Sequence, residues 1–232
     1  MTTAIILAGG LGTRLRKSVP DLPKPMASID GRPFLEYQLE YWSRQGLERL
    51  ILSVGYQHQT IIDHFGSAYR GIPIDYVVER TPLGTGGGLF LAAEGLTESF
   101  LMLNGDTFFG VNLQTLKSFH AERGSEWTFA LFRTHEIGRY MGMDIADDGR
   151  ILSLQSGAAR PGRLVNGGAY LVEPSVLEGF EKETGKKSSL EDDILPSIFN
   201  QGRRLYGVEQ FGPFIDIGIP KDYFRAADVL RQ

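Results

Sequence analysis

Apolar runs of strand length, separated by stretches of helical periodicity, constrain the fold of this chain more than any other feature. Three such runs without a polar residue are residues 4–7, 50–52 and 100–103. Runs of this kind predict strands that are buried on both faces of a parallel sheet. Between the first two runs the helical spacing of apolar residues, after Pro33 and before Gly46, predicts a helix that contains Leu35, Leu39 and Trp42.

The remaining pattern divides the chain into two lobes of one domain, residues 1–125 and 126–232. In the first lobe we predict a strand at residues 72–78 and helices at 60–65 and 88–96. In the second lobe, Asp148-Gly149 predicts a hairpin turn. Short strands are predicted there at residues 128–133, 143–146, 150–154 and 166–172, with helices at 174–181, 190–201 and 220–230. The expected fold is α/β: a Rossmann-like, doubly wound, mostly parallel mixed sheet flanked by helices, with a partly antiparallel second lobe.

Composition excludes several classes of protein. The chain has 232 residues and no cysteine, so zinc–thiolate sites, disulfides and cysteine nucleophiles are excluded. Its net charge of −4 argues against a nucleic-acid partner. No run is long enough to span a membrane, and the first residues lack the pattern of a signal peptide, which predicts a cytoplasmic protein without a membrane partner. The four histidines have no metal-binding spacing.

A glycine-rich loop follows the first strand, where a doubly wound sheet places its ligand. Residues 9–14 supply three glycines, the Thr13 hydroxyl and the Arg14 charge, a combination that suits a triphosphate. A dinucleotide-binding loop would need glycine where Leu15 stands, and a P-loop would need Gly-Lys at positions 14 and 15, so both familiar motifs fail. The alternative is a tight strand-to-helix turn with a surface arginine.

Ten residues beyond Arg14, two prolines stiffen the backbone around Lys24. The stretch LAGGLGTRL at residues 7–15, followed by LPKPM at 22–26, resembles the sequence motif of the sugar-1-phosphate nucleotidyltransferases. The resemblance extends over nearly the whole chain. It includes PLGTGGG at 82–88, LNGD at 103–106, VNGGAY at 165–170, SLEDDILP at 189–196 and FIDIGIP at 214–220.

This resemblance implies the nucleotide-diphospho-sugar transferase fold, with a mainly nucleotide-binding first lobe and a mainly sugar-phosphate-binding second lobe. It implies Mg²⁺ held by Asp106 and Asp216, whose oxygen ligands suit this hard cation. The implied catalytic residues are Arg14, Lys24 and Asp106. The implied nucleotide contacts are Leu7, Ala8, Gly9, Gly10, Gly12, Thr13, Arg14, Pro82, Gly84, Thr85 and Gly105. The implied sugar-phosphate contacts are Lys24, Asn166, Gly168 and Glu191, although the last could equally serve only the start of a helix.

The sequence departs from the family in one place. Many members carry Glu-Lys before the strand that contains the Asn-x-Gly motif, and the lysine meets the sugar phosphate. Here Gln155-Ser156 occupies that neighbourhood. Arg160 or Arg163 is the candidate replacement, and we take Arg163 as a sugar-phosphate contact.

The particular residues within these motifs resemble members of the family that use GTP as donor and a mannoheptose 1-phosphate as acceptor. The resemblance therefore implies these substrates and a role in capsule or other surface polysaccharide synthesis. Mannose 1-phosphate or another sugar 1-phosphate is the nearest alternative. A nucleotide-sugar-binding regulator without turnover is the alternative from another class, and an NAD-dependent oxidoreductase is disfavoured because the dinucleotide spacing fails. The oligomeric state stays open, with a homodimer as one option.

Overall fold

The computed structural model describes residues 2–10, 15, 22–180 and 185–231. Its strands are β1 (Thr3–Ala8), β2 (Ser28–Ile29), β3 (Arg32–Pro33), β4 (Arg49–Val54), β5 (Ala68–Tyr69), β6 (Ile72–Val78), β7 (Phe100–Asn104), β8 (Thr107–Phe109), β9 (Trp127–Arg133), β10 (Gly142–Ile145), β11 (Ile151–Gln155), β12 (Leu164–Val172), β13 (Leu205–Glu209) and β14 (Phe214–Asp216). Its α-helices are α1 (Phe34–Ser43), α2 (His58–Phe65), α3 (Gly84–Ala92), α4 (Leu113–Glu122), α5 (Leu195–Asn200) and α6 (Pro220–Leu230).

The central sheet confirms the predicted α/β architecture. Its strand order is β11-β10-β12-β7-β1-β4-β6-β5, and β9 joins β12 to β13. Strand β1 runs parallel to β4 and β7, and β4 runs parallel to β6. Ile5 and Ile6 point to opposite faces of the sheet and both are fully buried, in two different apolar clusters. The continuous apolar run in β1 therefore reflects a strand that is covered by helices on both sides.

The second lobe is partly antiparallel, as the sequence predicts. Strand β12 pairs antiparallel with three strands: it lies between β10 and β9 at Val165 and between β7 and β9 at Tyr170. Strands β10 and β11 form the hairpin predicted from Asp148-Gly149, where Gly149 has φ +88°. Since β12 pairs directly with β7, one sheet continues through both lobes. No helix in the described ranges has the length and apolar character needed to cross a bilayer.

Several predicted helices have different bounds. Helix α3 begins at Gly84, four residues before the predicted start, because the run Gly86-Gly87-Gly88 is itself helical. The helix predicted at 174–181 is a 3₁₀ turn, Pro174–Leu177, and the one predicted at 190–201 is a π-helical turn, Leu190–Ile194, followed by the short helix α5. Helix α4 and strand β13 were not predicted, although α4 begins with a capping side chain at Asn112.

Candidate active site

A cavity of about 290 Å³ opens at the carboxyl ends of β1 and β7, where a doubly wound sheet binds its ligands. Both lobes line it. From the first lobe come Leu7, Ala8, Gly10, Lys24, Thr85, Gly105 and Asp106, and from the second come Arg139, Tyr140, Asn166, Gly168, Tyr170, Glu191 and Asp216. Most of the residues that the sequence selected therefore meet in one place.

Two aspartates stand at neighbouring strand ends. Asp106 lies in the short connection between β7 and β8, and Asp216 ends β14. Strand β14 pairs antiparallel with β8 so that Asp216 lies opposite Thr107, and the Ile217 amide donates to the Asp106 carbonyl at 3.0 Å. This pairing brings together two carboxylates that are 110 residues apart in the chain, as the numbering shows.

Lys24 opens a 3₁₀ turn, Lys24–Met26, in which Pro23 fixes the entry and Pro25 the next residue. Its ammonium group donates to Asp106 Oδ2, and only 13% of its side chain is exposed. Desolvation acts to raise the pKa of the Asp106 carboxyl, but the charge and hydrogen bond of Lys24 outweigh it and hold the pKa below its usual range. Asp106 is therefore an anion paired with a lysine that the prolines hold in place.

Asp216 has a different environment. Desolvation and then the neighbouring negative charge of Asp106 raise the pKa of its carboxyl. Its Oδ1 accepts from the Gly218 amide at 2.7 Å, and its Oδ2 accepts from Arg139 Nη2 at 3.0 Å. Arg139 Nη1 also donates to Asp222, whose side chain is only 1% exposed. A buried carboxylate therefore holds the arginine, and the arginine fixes the orientation of Asp216.

The two aspartates offer oxygen ligands of the kind that Mg²⁺ prefers. Within the described residues no group of three or more His, Asp or Glu could hold a metal ion. Mg²⁺ commonly takes one or two protein carboxylates and completes its shell with water and substrate phosphates. Asp106 and Asp216 therefore fit a Mg²⁺ ion that arrives with a phosphate-bearing substrate.

The first glycine loop is described in part. Gly10 lines the cavity, whereas a Cβ on Gly9 would overlap the Glu79 carboxylate, so Gly9 serves packing beneath the loop. A Cβ on Gly105 would lie 2.9 Å from Ala8 Cα, so this glycine lets β1 approach the loop after β7. Gly12, Thr13 and Arg14 lie outside the described residues.

The second glycine loop contributes less to the cavity than expected. Thr85 lines the cavity, but Pro82 and Gly84 are exposed and are not among the lining residues. Gly86, Gly87 and Gly88 are buried in the first turns of α3. The glycines of this motif therefore mainly allow the backbone of residues 186–188 to pack closely against the start of α3.

Hydrogen-bonding side chains of the second lobe also line the cavity. Asn166 Nδ2 donates to the Tyr170 hydroxyl at 2.7 Å and to Glu191 Oε1 at 3.3 Å, and Asn166 Oδ1 accepts from the Gly168 amide at 3.1 Å. Gly168 has φ +73°, in a stretch where the pairing of β12 with β9 shifts register, and a Cβ there would lie 2.9 Å from Asn104 Nδ2. Burial raises the pKa of both Glu191 and Tyr170. Donors and acceptors of this kind suit the hydroxyl groups of a sugar.

Arg163 does not reach this cavity, which corrects the sequence-based choice. Its guanidinium donates to Asp144 at 2.8 Å and to Gln155 and the Ala158 carbonyl at 3.1 Å. These contacts hold it beside the hairpin of β10 and β11, in a separate depression that also contains Arg160. Arg139 is the arginine that lines the cavity in the described part of the chain.

Sequence reasoning missed Arg139, Tyr170 and Asn104 as residues of the site. Tyr170 and Asn104 stand inside motifs that were recognised, so their neighbours could have indicated them. Arg139 precedes β10 in a loop without glycine-rich or acidic motifs, and its partners lie 77 and 83 residues away. No local pattern in the sequence indicates such contacts.

These features define a site for nucleotidyl transfer, and comparison with known proteins agrees. Residues 3–232 match the family described as "Nucleotidyl transferase", so the chain belongs to that family. More particularly, it belongs to the sugar-1-phosphate nucleotidyltransferases. It is 41% identical to D-glycero-alpha-D-manno-heptose 1-phosphate guanylyltransferase of Aneurinibacillus thermoaerophilus, over 99% of this chain and 98% of the relative. It is 31% identical to mannose-1-phosphate guanylyltransferase of Mycobacterium tuberculosis, over 98% of this chain and 64% of that longer relative.

A solved structure supports the same placement. HddC from Yersinia pseudotuberculosis, crystallised with GMP-PN, superposes with a TM-score of 0.84 at 31% identity, over 98% of this chain and 99% of that one. A glucose-1-phosphate thymidylyltransferase from Bacillus anthracis, assigned as putative, superposes with a TM-score of 0.87 at 18% identity, over 100% of this chain and 96% of that one. The second likeness shows the shared fold alone.

Proposed function

We propose that this protein transfers GMP from GTP to D-glycero-α-D-manno-heptose 1-phosphate, which yields GDP-heptose and pyrophosphate. The observation that carries the reaction class is that Lys24, Asp106 and Asp216 line the same cavity as Asn166 and Glu191. The choice of substrates is supported by the relatives that are 41% and 35% identical over nearly their whole lengths, both named as heptose 1-phosphate guanylyltransferases.

The acceptor phosphate needs no general base. The second pKa of a phosphate monoester is about 6, so most of the acceptor is a dianion near neutral pH. One of its oxygens attacks the α-phosphorus of GTP in line, a new P–O bond forms, and the bond to the β-phosphate breaks as pyrophosphate leaves. Repulsion between two anions is the main barrier, so positioning and positive charge supply the catalysis.

The first lobe holds the nucleotide. In the proposed complex, Leu7, Ala8, Gly10 and Gly105 lie beside it, and Lys24 stands between donor and acceptor phosphates. Gly9 and Gly105 support this loop through packing. We assign Gly12, Thr13 and Arg14 to the triphosphate, and the backbone of Pro82, Gly84 and Thr85 to the base, as the family resemblance implies.

Asp106 and Asp216 would hold Mg²⁺, which when bound neutralises charge on the α-phosphate and on the leaving pyrophosphate. Lys24 is bound to Asp106 in the structure and Arg139 to Asp216. Each carboxylate therefore has a cationic neighbour before substrate binds. When the phosphates bind, Lys24 and Arg139 also help to balance their negative charge. Mg²⁺ stays a proposal for this chain.

The second lobe holds the sugar. Asn166, Gly168 and Glu191 form the proposed acceptor contacts, and Tyr170 fixes the Asn166 amide through its hydroxyl. Glu191 accepts a hydrogen bond from Asn166, so its carboxylate points into the cavity rather than only toward the start of its own helix. Arg163 is not part of this proposal.

The test is pyrophosphate release with Mg²⁺ across ATP, GTP, CTP, UTP and dTTP, each offered mannoheptose, mannose and glucose 1-phosphates. Release confined to GTP with the mannoheptose phosphate is the expected result. Release with another pair would support the same mechanism with different substrates, and mannose 1-phosphate is the alternative acceptor that we expect first. Tight binding of a nucleotide sugar without release from any pair would instead support a regulator. A cytoplasmic location, a role in surface polysaccharide synthesis and a homodimer stay predictions.

A further inference from the structure

Backbone from the second lobe lies directly against the second glycine loop. A Cβ on Gly86 would lie 2.6 Å from Ser188 Oγ and 2.8 Å from Ile194 Cγ1. A Cβ on Gly84 would overlap the Ser188 carbonyl oxygen, and one on Gly87 would overlap the Lys186 carbonyl oxygen. Three glycines of the loop therefore make room for residues 186–188.

Hydrogen bonds join the two segments at successive positions. The Ser188 amide donates to the Leu83 carbonyl at 2.9 Å, and the Gly86 amide donates to the Ser188 carbonyl at 3.0 Å. Further along, the Leu190 amide donates to Thr85 Oγ1 at 2.8 Å, a contact that spans 105 residues of sequence. The last bond is the one made by a side chain, so it can be removed without changing the backbone.

The Thr85 bond reaches the residue next to Glu191. Leu190 begins the π-helical turn Leu190–Ile194, and its amide is one of the donors that a helix start leaves without a partner in the helix. Ser189 caps the same turn by accepting from the Asp192 amide. Thr85 and Glu191 line the same cavity, so a shift of this turn changes where the Glu191 carboxylate lies.

We infer that Thr85 is a positioning residue for Glu191: the nucleotide-side loop sets the geometry of the acceptor sugar pocket through the Thr85–Leu190 hydrogen bond. Gly84, Gly86 and Gly87 allow the close approach on which this bond depends. The inference rests on the proposed function, since Glu191 is taken there as a contact of the sugar. The expected contact of the glycine motif with the nucleotide is made by its backbone, whereas the Thr85 side chain acts toward the acceptor pocket.

The test compares Thr85→Val, which loses the acceptor oxygen, with Thr85→Ser, which keeps it. For Thr85→Val we expect KM for the sugar 1-phosphate to rise five- to tenfold while KM for the nucleotide changes less than twofold. Thr85→Ser should stay within twofold of wild type on both. Asn112→Ala is the matched control, because it removes the same kind of side-chain acceptor from the start of α4, away from the cavity.

A double mutant separates positioning from direct contact. If Thr85 acts through Glu191, Thr85→Val adds less than twofold to KM for the sugar phosphate in a Glu191→Gln background. Full additivity would mean that Thr85 touches substrate itself and would overturn the inference. A rise confined to KM for the nucleotide would overturn it as well.

Amide hydrogen exchange provides a readout that does not depend on turnover. Thr85→Val should speed exchange across residues 190–194 at least tenfold, with unchanged exchange in α4. Unchanged exchange at 190–194 would overturn the inference even if activity falls. If wild type uses a different sugar phosphate, the proposed substrate fails and the kinetic comparison moves to that acceptor. If no pair reacts, the exchange measurement decides alone.

Discussion

The two lobes contribute different chemistry to one cavity. The first lobe supplies a largely buried lysine, Lys24, paired with Asp106, which follows a parallel strand. The second supplies an amide, a phenol and a half-buried carboxyl, from Asn166, Tyr170 and Glu191, joined by hydrogen bonds. The first set suits the neutralisation of phosphate charge, and the second suits the recognition of hydroxyl groups.

In the proposed complex the second lobe contacts the sugar and the first lobe contacts the phosphates. Such a division would let one fold serve several acceptors through changes in the second lobe alone. Asp216 and Arg139 are the exceptions, because the second lobe delivers them to the phosphate side through β14 and the loop before β10. The following experiments test whether the division holds, beginning with the largest expected effect.

The substitution Asp106→Asn tests the phosphate side. We expect kcat to fall about a hundredfold or more, equivalent to about 2.7 kcal/mol, because the candidate Mg²⁺ site loses a charged ligand and Lys24 loses its partner. KM for the sugar phosphate should change little. Steady-state kinetics on both substrates measures this, with Asp148→Asn in the exposed hairpin turn as the matched control. Near-normal turnover in a folded Asp106→Asn protein would contradict the assignment.

Sequence predicted the first lobe better than the second, for a physical reason. Around β1 and β7 the site residues follow their strands directly, so strand position and local motif together locate Gly10, Gly105 and Asp106. Continuous apolar runs likewise predicted β1, β4 and β7, because those strands are buried on both faces. In this part of the site, residues that are neighbours in sequence are also neighbours in space.

In the second lobe the deciding contacts are long-range. The charge of Arg163 and its position near the expected lysine favoured it, but Asp144 and Gln155 hold it outside the cavity. Arg139 is held at the site by Asp216, which ends β14, and by the buried Asp222 of α6. At 190–201 periodicity located the helical stretch but not the type of its first turn, Leu190–Ile194, which is π-helical and is followed by α5. Tertiary pairing of this kind leaves no local pattern.

Comparison of Arg139→Met with Arg163→Met tests the role of Arg139, which belongs to the second lobe but contacts Asp216 on the phosphate side. Loss of Arg139 leaves the nearly inaccessible Asp222 carboxylate with Arg225 as its remaining described partner, so we expect a loss of roughly 2–3 kcal/mol in the free energy of unfolding. Loss of Arg163 should cost less than about 1 kcal/mol, because its partner Asp144 is 55% exposed. Chemical denaturation measures both.

We expect kcat, like stability, to fall more in Arg139→Met than in Arg163→Met. Arg139→Met removes a hydrogen bond that orients Asp216, so kcat should fall about tenfold or more, whereas Arg163→Met should stay within about twofold of wild type. A raised KM for the sugar phosphate in Arg163→Met, with little change in Arg139→Met, would instead support Arg163 as the sugar-phosphate contact that the sequence predicted.

The substitution Asn166→Ala tests the sugar side. It removes the donor to the Tyr170 hydroxyl and to Glu191, so we expect KM for the sugar phosphate to rise about tenfold, or about 1.4 kcal/mol, at unchanged nucleotide affinity. Isothermal titration with each substrate separates the two affinities, and Asn200→Ala at the end of α5 is the control. Weakened nucleotide binding in Asn166→Ala would show that the lobes do not divide the substrates.

The smallest effect concerns His120, which lies on α4 away from the cavity. Burial lowers the pKa of this histidine, more than hydrogen bonding to Glu173 raises it, so the folded protein favours the neutral ring that contacts Thr128. The unfolded chain takes up the proton first, near pH 6.5, and stability therefore falls as the pH drops from about 6.5 toward the lowered pKa of the fold. One proton limits the slope to about 1.4 kcal/mol per pH unit, or roughly 2–5 °C in Tm. Thermal unfolding at pH 7.5 and 5.5 should show a smaller loss for His120→Gln than for wild type, whereas equal losses would assign the acid sensitivity to other groups.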